Sequence, residues 1–183
     1  MKRTKKLISL LLSCIMILQL LPLSVFAAES SGICGGGVTW HVDGDVLYIE
    51  GEGKMYDFLN PNDGDDNPDD NITYAPWSSA YLSKIVIGEG VTYIGNHAFY
   101  EKDTVVEAQL PSTLEGIGMY AFAYMESLEK AILPEGLTTM GEGAFKVCRS
   151  LTTVAIPSTR KVIPYSARMH YRGSPSAWRE WKR

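Results

Sequence analysis

Ile85-Val86-Ile87-Gly88…Ile94-Gly95…Ala98-Phe99 is followed by Ala108-Gln109-Leu110-Pro111…Ile117-Gly118…Ala121-Phe122 and then by Ala131-Ile132-Leu133-Pro134…Met140-Gly141…Ala144-Phe145. A fainter copy comes next: Val154-Ala155-Ile156-Pro157…Ile163-Pro164…Ala167-Arg168. Phe99, Phe122 and Phe145 stand 23 positions apart, as do Leu82, Val105, Leu128 and Leu151. That period falls in the range of stacked repeat proteins. A unit of this length cannot enclose a core of its own, so each copy must bury its apolar side chains against the next.

Within a copy, Ile85 to Ile87 alternates with the two-residue period of a strand, which places Ile85 and Ile87 in the core and Lys84 and Val86 on the other face. The Gly or Pro at 88, 111, 134 and 157 keeps each strand short. Gly95, Gly118 and Gly141 mark a turn needing either an unusual conformation or a close approach that a side chain opposes. Ala-Phe then refills the interior, the Phe supplying a large buried surface.

The pattern L-x-x-[IA]-x-[IL]-P-x-x-[VL]-T-x-I-G-x-x-A-F resembles the BspA-type leucine-rich repeats of bacterial surface proteins. The resemblance implies a right-handed leucine-rich repeat solenoid of about four 23-residue repeats, with short parallel strands on one face, irregular turns on the other, and a role in adhesion. In the last copy Pro164 stands for the Gly and Arg168 for the Phe, as expected where an array ends.

Residues 1–27 read as an export signal: Lys2, Arg3, Lys5 and Lys6 form the positive end, Leu7 to Leu21 the apolar segment, and Val25-Phe26-Ala27 the cleavage pattern before Ala28. A retained anchor is disfavoured because Pro22 interrupts a short apolar run. Leu11-Leu12-Ser13-Cys14 is a weaker, lipoprotein-type alternative. The chain carries 17 Lys and Arg against 21 Asp and Glu; loss of the signal leaves 13 basic residues and a net charge near −8. An acidic domain without a basic patch argues against nucleic acid or an anionic membrane as partner.

Residues 28–56 carry a β-hairpin signal, two alternating runs, Val38–Val42 and Val46–Ile49, around Asp43-Gly44-Asp45. A hairpin rich in Trp40, Tyr48 and Ile49 is suited to cap the bare amino-terminal end of a stack. Residues 57–75 form an acidic Asp/Asn/Pro-rich insertion. A calcium-loop reading lacks a bidentate Glu at the right distance and is interrupted by two prolines, so a solvated insertion is expected. Asn71-Ile72-Thr73 has the form of a glycosylation sequon. The array occupies 76–168. Residues 169–183, with Tyr171-Arg172-Gly173-Ser174…Trp178, resemble the family's closing segment; a short amphipathic tail touching a membrane or wall is the alternative.

Two cysteines remain after processing, Cys34 and Cys148, and an exported setting permits them to pair. Cys148 shares its repeat position with Met125 and Lys102; the resemblance to the family, whose repeats often carry a buried cysteine there, implies a buried, unpaired thiol. The histidines, His41, His97 and His170, fall in unrelated places. No nucleophile elbow, His-Glu-x-x-His or phosphate-cradling loop occurs, so neither enzyme nor cofactor nor metal is expected. A secreted hydrolase has no residue to point to.

The repeats offer instead a surface. Outward strand positions give one row, Lys84, Glu107, Lys130 and Thr153, and a second, Val86, Gln109, Ile132 and Ala155. The first alternates in sign across strands about 4.8 Å apart, which by itself favours correct register. The second leaves apolar residues with a polar margin, the composition of a partner site. The expected function is a secreted or surface-exposed module binding an extracellular protein or glycan through this sheet face. The alternative is a structural spacer or self-associating unit of a cell-surface assembly.

Overall fold

A computed structural model of the protein describes residues 30–59 and 73–155, with backbone only for 153–155. The export signal, the 60–72 part of the acidic insertion, the Ile163…Arg168 stretch and the closing segment lie outside the described residues.

Eleven strands are described: β1 (Ser31–Ile33), β2 (Val38–Asp43), β3 (Val46–Gly51), β4 (Gly53–Lys54), β5 (Lys84–Ile87), β6 (Val91–Ile94), β7 (Glu107–Gln109), β8 (Gly116–Ile117), β9 (Lys130–Ile132), β10 (Thr139–Met140) and β11 (Thr153–Ala155). They form a seven-stranded sheet in the order β1-β2-β3-β5-β7-β9-β11 and a four-stranded sheet in the order β10-β8-β6-β4. From β3 to β11 the larger sheet is parallel; β1, β2 and β3 pair antiparallel at its start. The stretch after each strand, expected as irregular turn, thus contributes a second parallel sheet. The residues do not announce that sheet, because its members, apart from Val91–Ile94, are two residues long and show no alternation.

The hairpin signal is realised by β2 and β3, with Asp43 paired to Val46 and Gly44-Asp45 as the connection. Gly44 takes a φ of 62°, which a first-position turn glycine supplies without steric cost. Val38, Trp40, Leu47 and Ile49 are buried, and β3 continues into the parallel ladder by pairing Leu47 with Ile85 and Ile49 with Ile87. Trp40 meets Trp77 edge-on at 5.6 Å between ring centroids. From Trp77 an aromatic column runs through Phe99 (5.8 Å), Phe122 (5.2 Å) and Phe145 (5.0 Å), all buried. Each ring covers the next at contact distance, so the column is the centre of the core.

Main-chain hydrogen bonds tie each turn of chain to the next on three sides. On the large sheet, Val106 N–H donates to Ser83 and Glu129 N–H to Val106; on the small one, Gly118 donates to Ile94 and Gly141 to Ile117. On the third side the direction reverses, with Phe99 donating to Ala121 and Phe122 to Ala144. This third side uses left-handed backbone twice per turn, at His97, Tyr120 and Gly143 (φ 52°, 51° and 60°) and at Glu101, Tyr124 and Val147 (58°, 60° and 61°). Val147 is the most strained of these, because a branched Cβ crowds its own backbone there.

At the corner after the small sheet the turns approach too closely for side chains. A Cβ on Gly118 would lie 2.6 Å from Asn96 N and 2.7 Å from Gly95 C, and one on Gly141 2.4 Å from Met119 N. Close approach, the second of the two reasons the sequence leaves open, therefore explains these glycines. A polar ladder runs beside them: Asp57 Oδ1 accepts from Asn96 N–H at 2.8 Å, and Asn96 Oδ1 from Met119 N–H at 2.6 Å. Met119 then interrupts it, leaving its own exposed side chain where an acceptor would reach the turn above.

The column shared by Lys102, Met125 and Cys148 is buried throughout. Lys102 is 8% exposed; its ammonium donates to the carbonyls of Ser78 and, at 3.2 Å, of Ala80. Burial pulls its pKa down, with the Asp103 charge opposing. Cys148 Sγ lies 3.0 Å from the Phe122 carbonyl, and Cys34 is buried under the hairpin; both thiols are free. Burial pushes each up to about 12, so neither is a thiolate at neutral pH.

Thermal unfolding tests the two backbone arguments. Gly118→Ala is expected to lower stability by about 2 kcal/mol through overpacking against backbone. Val147→Asn is expected to raise it by about 1 kcal/mol, since Asn tolerates the left-handed region. Met119→Asn should add about 1 kcal/mol by extending the polar ladder by one hydrogen bond.

Candidate functional site

Strand register decides which side chains share the outer face of the large sheet. Val46 aligns with Lys84, Lys84 with Glu107, Glu107 with Lys130, and Lys130 with Thr153. Two residues along, Tyr48 aligns with Val86, Val86 with Gln109, and Ile132 with Ala155. The eight residues singled out from sequence therefore lie in two adjacent rows on one face, the side chains of Thr153 and Ala155 being outside the described residues. Alternation in β2 and β3 extends the second row by two rings, since His41 pairs with Tyr48. Those rings stack 4.8 Å apart at 8°. The sequence held this signal in the alternation of Val38–Ile49, but the hairpin read as cover and not as part of the face.

Glu107 is the electrostatic centre of the rows. Its Oε1 accepts from Gln109 Nε2 at 2.9 Å, and its Oε2 lies 3.3 Å from Lys84 Nζ. The Gln109 hydrogen bond, then Lys84, hold the Glu107 carboxyl below its ordinary value of 4.5, with Lys130 adding a smaller contribution. Lys130 itself forms no direct ion pair among the described residues. The alternating row therefore closes as a pair on one side and stays open on the other. His41 Nδ1 lies 3.7 Å from Glu50 at the hairpin margin.

Over β7 and β9 the face sinks into a depression of about 280 Å³, lined by Glu107, Gln109, Leu110, Lys130 and Ile132. Ile132 is 51% exposed, whereas Val86 is half-buried between its neighbours. A carboxylate, a carboxamide and an ammonium surround an exposed apolar group, an arrangement that fits reversible recognition through mixed polar and apolar contact.

A second depression, about 250 Å³, is lined by Glu101, Asp103, Tyr124 and Glu126 on the side of the left-handed turns. Glu126 lies 3.7 Å from Arg149 Nε. Among the described residues no group of three or more His, Cys, Asp or Glu is disposed to hold a metal ion, and no helix is long and apolar enough to cross a membrane. His41 and His97 are far apart in the fold: His41 lies on the sheet face, while His97 stacks on Tyr120 with centroids 5.5 Å apart and its Nδ1 is 3.2 Å from the Phe58 carbonyl.

A model of the BspA type leucine rich repeat region (6 copies) matches residues 71–170. No curated protein matches the chain. Among solved structures it is similar to a leucine rich cell surface protein from Faecalibacterium prausnitzii A2-165, at 24% identity and a TM-score of 0.47, covering 82% of this chain and 42% of that one. It is also similar to a leucine-rich repeat protein from Eubacterium ventriosum ATCC 27560, at 18% identity and a TM-score of 0.46, covering 72% and 45%. A third is the pneumococcal vaccine antigen PcpA, at 18% identity and a TM-score of 0.41, covering 72% and 39%. The chain thus spans less than half the length of each of these proteins.

Glu107 supplies a pH test. A carboxyl whose folded pKa is depressed contributes stability above its ordinary value, 4.5, and loses that contribution as pH falls through the folded value. Melting temperature measured from pH 7 to pH 3 should therefore fall less steeply for Glu107→Gln than for the wild type.

Proposed function

The chain belongs to the BspA-type leucine-rich repeat family, and from that premise we propose that it is an exported, non-enzymatic recognition module that engages an extracellular protein or glycan through the outer face of its large sheet. The observation that carries this reading is the second row, in which the stacked His41 and Tyr48, then Val86, Gln109 and Ile132, cross successive strands with nothing among the described residues covering them. The charged row Lys84, Glu107 and Lys130 flanks it on one side, so the face combines an apolar strip with a polar margin. Lys84, Val86, Glu107, Gln109, Lys130, Ile132, Thr153 and Ala155 are the proposed contact positions.

The finer architecture belongs to the same proposal. It is a right-handed solenoid of about four 23-residue repeats, with the β2–β3 hairpin capping its first layer and an amino-terminal signal directing export to the outside or the cell surface. The capping role rests on Trp40, which closes over Trp77 at the head of the aromatic column. Recognition requires no cofactor and no metal. The spacer reading draws on the edge position of β1, where a short strand ends the sheet.

Binding of the purified protein to an array of host matrix proteins and glycans tests the proposal, run beside a Lys84→Glu/Ile132→Asp double variant checked for folding by circular dichroism. Saturable binding by the wild type, weakened about tenfold or more in the folded variant, is the expected result. Equal binding by both would move recognition off this face. No binding to any member would favour the spacer.

A further inference from the structure

The outward charges of β5, β7 and β9 form a pattern that contains its own complement. Lys84, Glu107 and Lys130 occupy one register row. Consider a two-fold axis lying parallel to the strands, above the sheet and midway between β7 and β9. It places a second copy face to face with the first and sets Glu107 of each opposite Lys130 of the other. Two ion pairs of opposite sense form at once, which is what an isologous interface requires of a single patch.

The same operation sets Ile132 of one copy opposite Gln109 of the other, over the depression of about 280 Å³ whose lining comes from β7 and β9. An exposed apolar side chain thereby meets a recess on the axis, and Val86 falls opposite position 155, an alanine. An axis between β5 and β7 also matches signs. Both axes use Glu107, which already meets Lys84 at 3.3 Å, but the one between β5 and β7 leaves Lys130 over Val46 with no carboxylate. The axis between β7 and β9 brings a carboxylate directly against Lys130, which makes no direct ion pair among the described residues.

We propose that the outer face of the large sheet pairs with a second copy of this chain, sheet on sheet, about an axis between β7 and β9. The pairing goes beyond the recognition reading and does not depend on it. Because both use one face, pairing covers the recognition rows at high local concentration and dilution frees them.

Sedimentation velocity over a range of concentrations tests the pairing with charge reversals. The wild type should show a concentration-dependent dimer that weakens as salt is added. Glu107→Lys and Lys130→Glu should each weaken it by about tenfold, because each puts like charges opposite one another at two places. An equimolar mixture of the two variants should restore a dimer, since 107 and 130 are again of opposite sign across the interface. Ile132→Asp, which leaves the charge row intact, should also weaken it and serves if a reversal disturbs folding. A wild type that stays monomeric, a dimer indifferent to all three changes, or a mixture that fails to recover would each overturn the proposal. Retained binding to an extracellular ligand by a monomeric wild type would separate this failure from failure of the recognition reading.

Discussion

The chain is held by main-chain hydrogen bonds between turns one period apart, made on three sides at once. Glu129 donates to Val106 on the large sheet, Gly141 to Ile117 on the small one, and Phe122 to Ala144 on the third. Bonds of this kind fix adjacent turns at about the spacing of neighbouring strands. Once that spacing is imposed everywhere, every position with a counterpart 23 residues on must either stack on it or make room for it. The core phenylalanines stack, at 5.0 to 5.2 Å. The corner glycines make room, since a Cβ on Gly95 would overlap the Tyr56 carbonyl at 1.7 Å. One constraint therefore accounts for both the largest and the smallest recurrent side chains.

It also explains which parts of the fold could be read from residues. Stacked and excluded positions leave a signature in residue type, so Ile85, Ile87, Phe99, Phe122, Phe145 and the three corner glycines announce the period, the strands and the inward face. The outward rows follow from the same register, because alternation fixes the opposite face once the inward one is known. The candidate site was legible to that extent, as a set of positions. Its depression was not, since a recess over β7 and β9 depends on how far Ile132, Lys130 and Glu107 stand out from the sheet.

Other features are silent in sequence because backbone geometry, not side-chain chemistry, makes them. The left-handed positions fall on His97, Glu101, Tyr120, Tyr124 and Val147, of which only His97 is a type enriched in such a backbone. Gly143 carries the plain mark, and there the Tyr120 ring, 2.4 Å from where a Cβ would sit, forbids a side chain for a second reason. The hydrogen bonds that the third side makes to the next turn hold these residues in place, against a cost of about 1 to 3 kcal/mol at each strained position. Lys102 is a similar case. Its column is apolar in the next two turns, but in the first turn the carbonyls of Ser78 and Ala80 turn inward, and a long cationic side chain satisfies both.

The charge row shows how one ladder can serve both folding and contact. A strictly alternating row on a closed sheet would pair every charge with a neighbour and present little to an outside group. Here Gln109 and Lys84 each meet one oxygen of Glu107, while Lys130, which makes no direct ion pair among the described residues, is exposed beside Ile132. The Gln109 contact follows from the i, i+2 geometry of a strand, which brings its amide back over Glu107 on the same face. The glutamine thus does more than fill a polar margin: it shares the Glu107 carboxylate with Lys84, and beyond that cluster a cation and an exposed isoleucine stand side by side, the two groups on which the proposed contact rests.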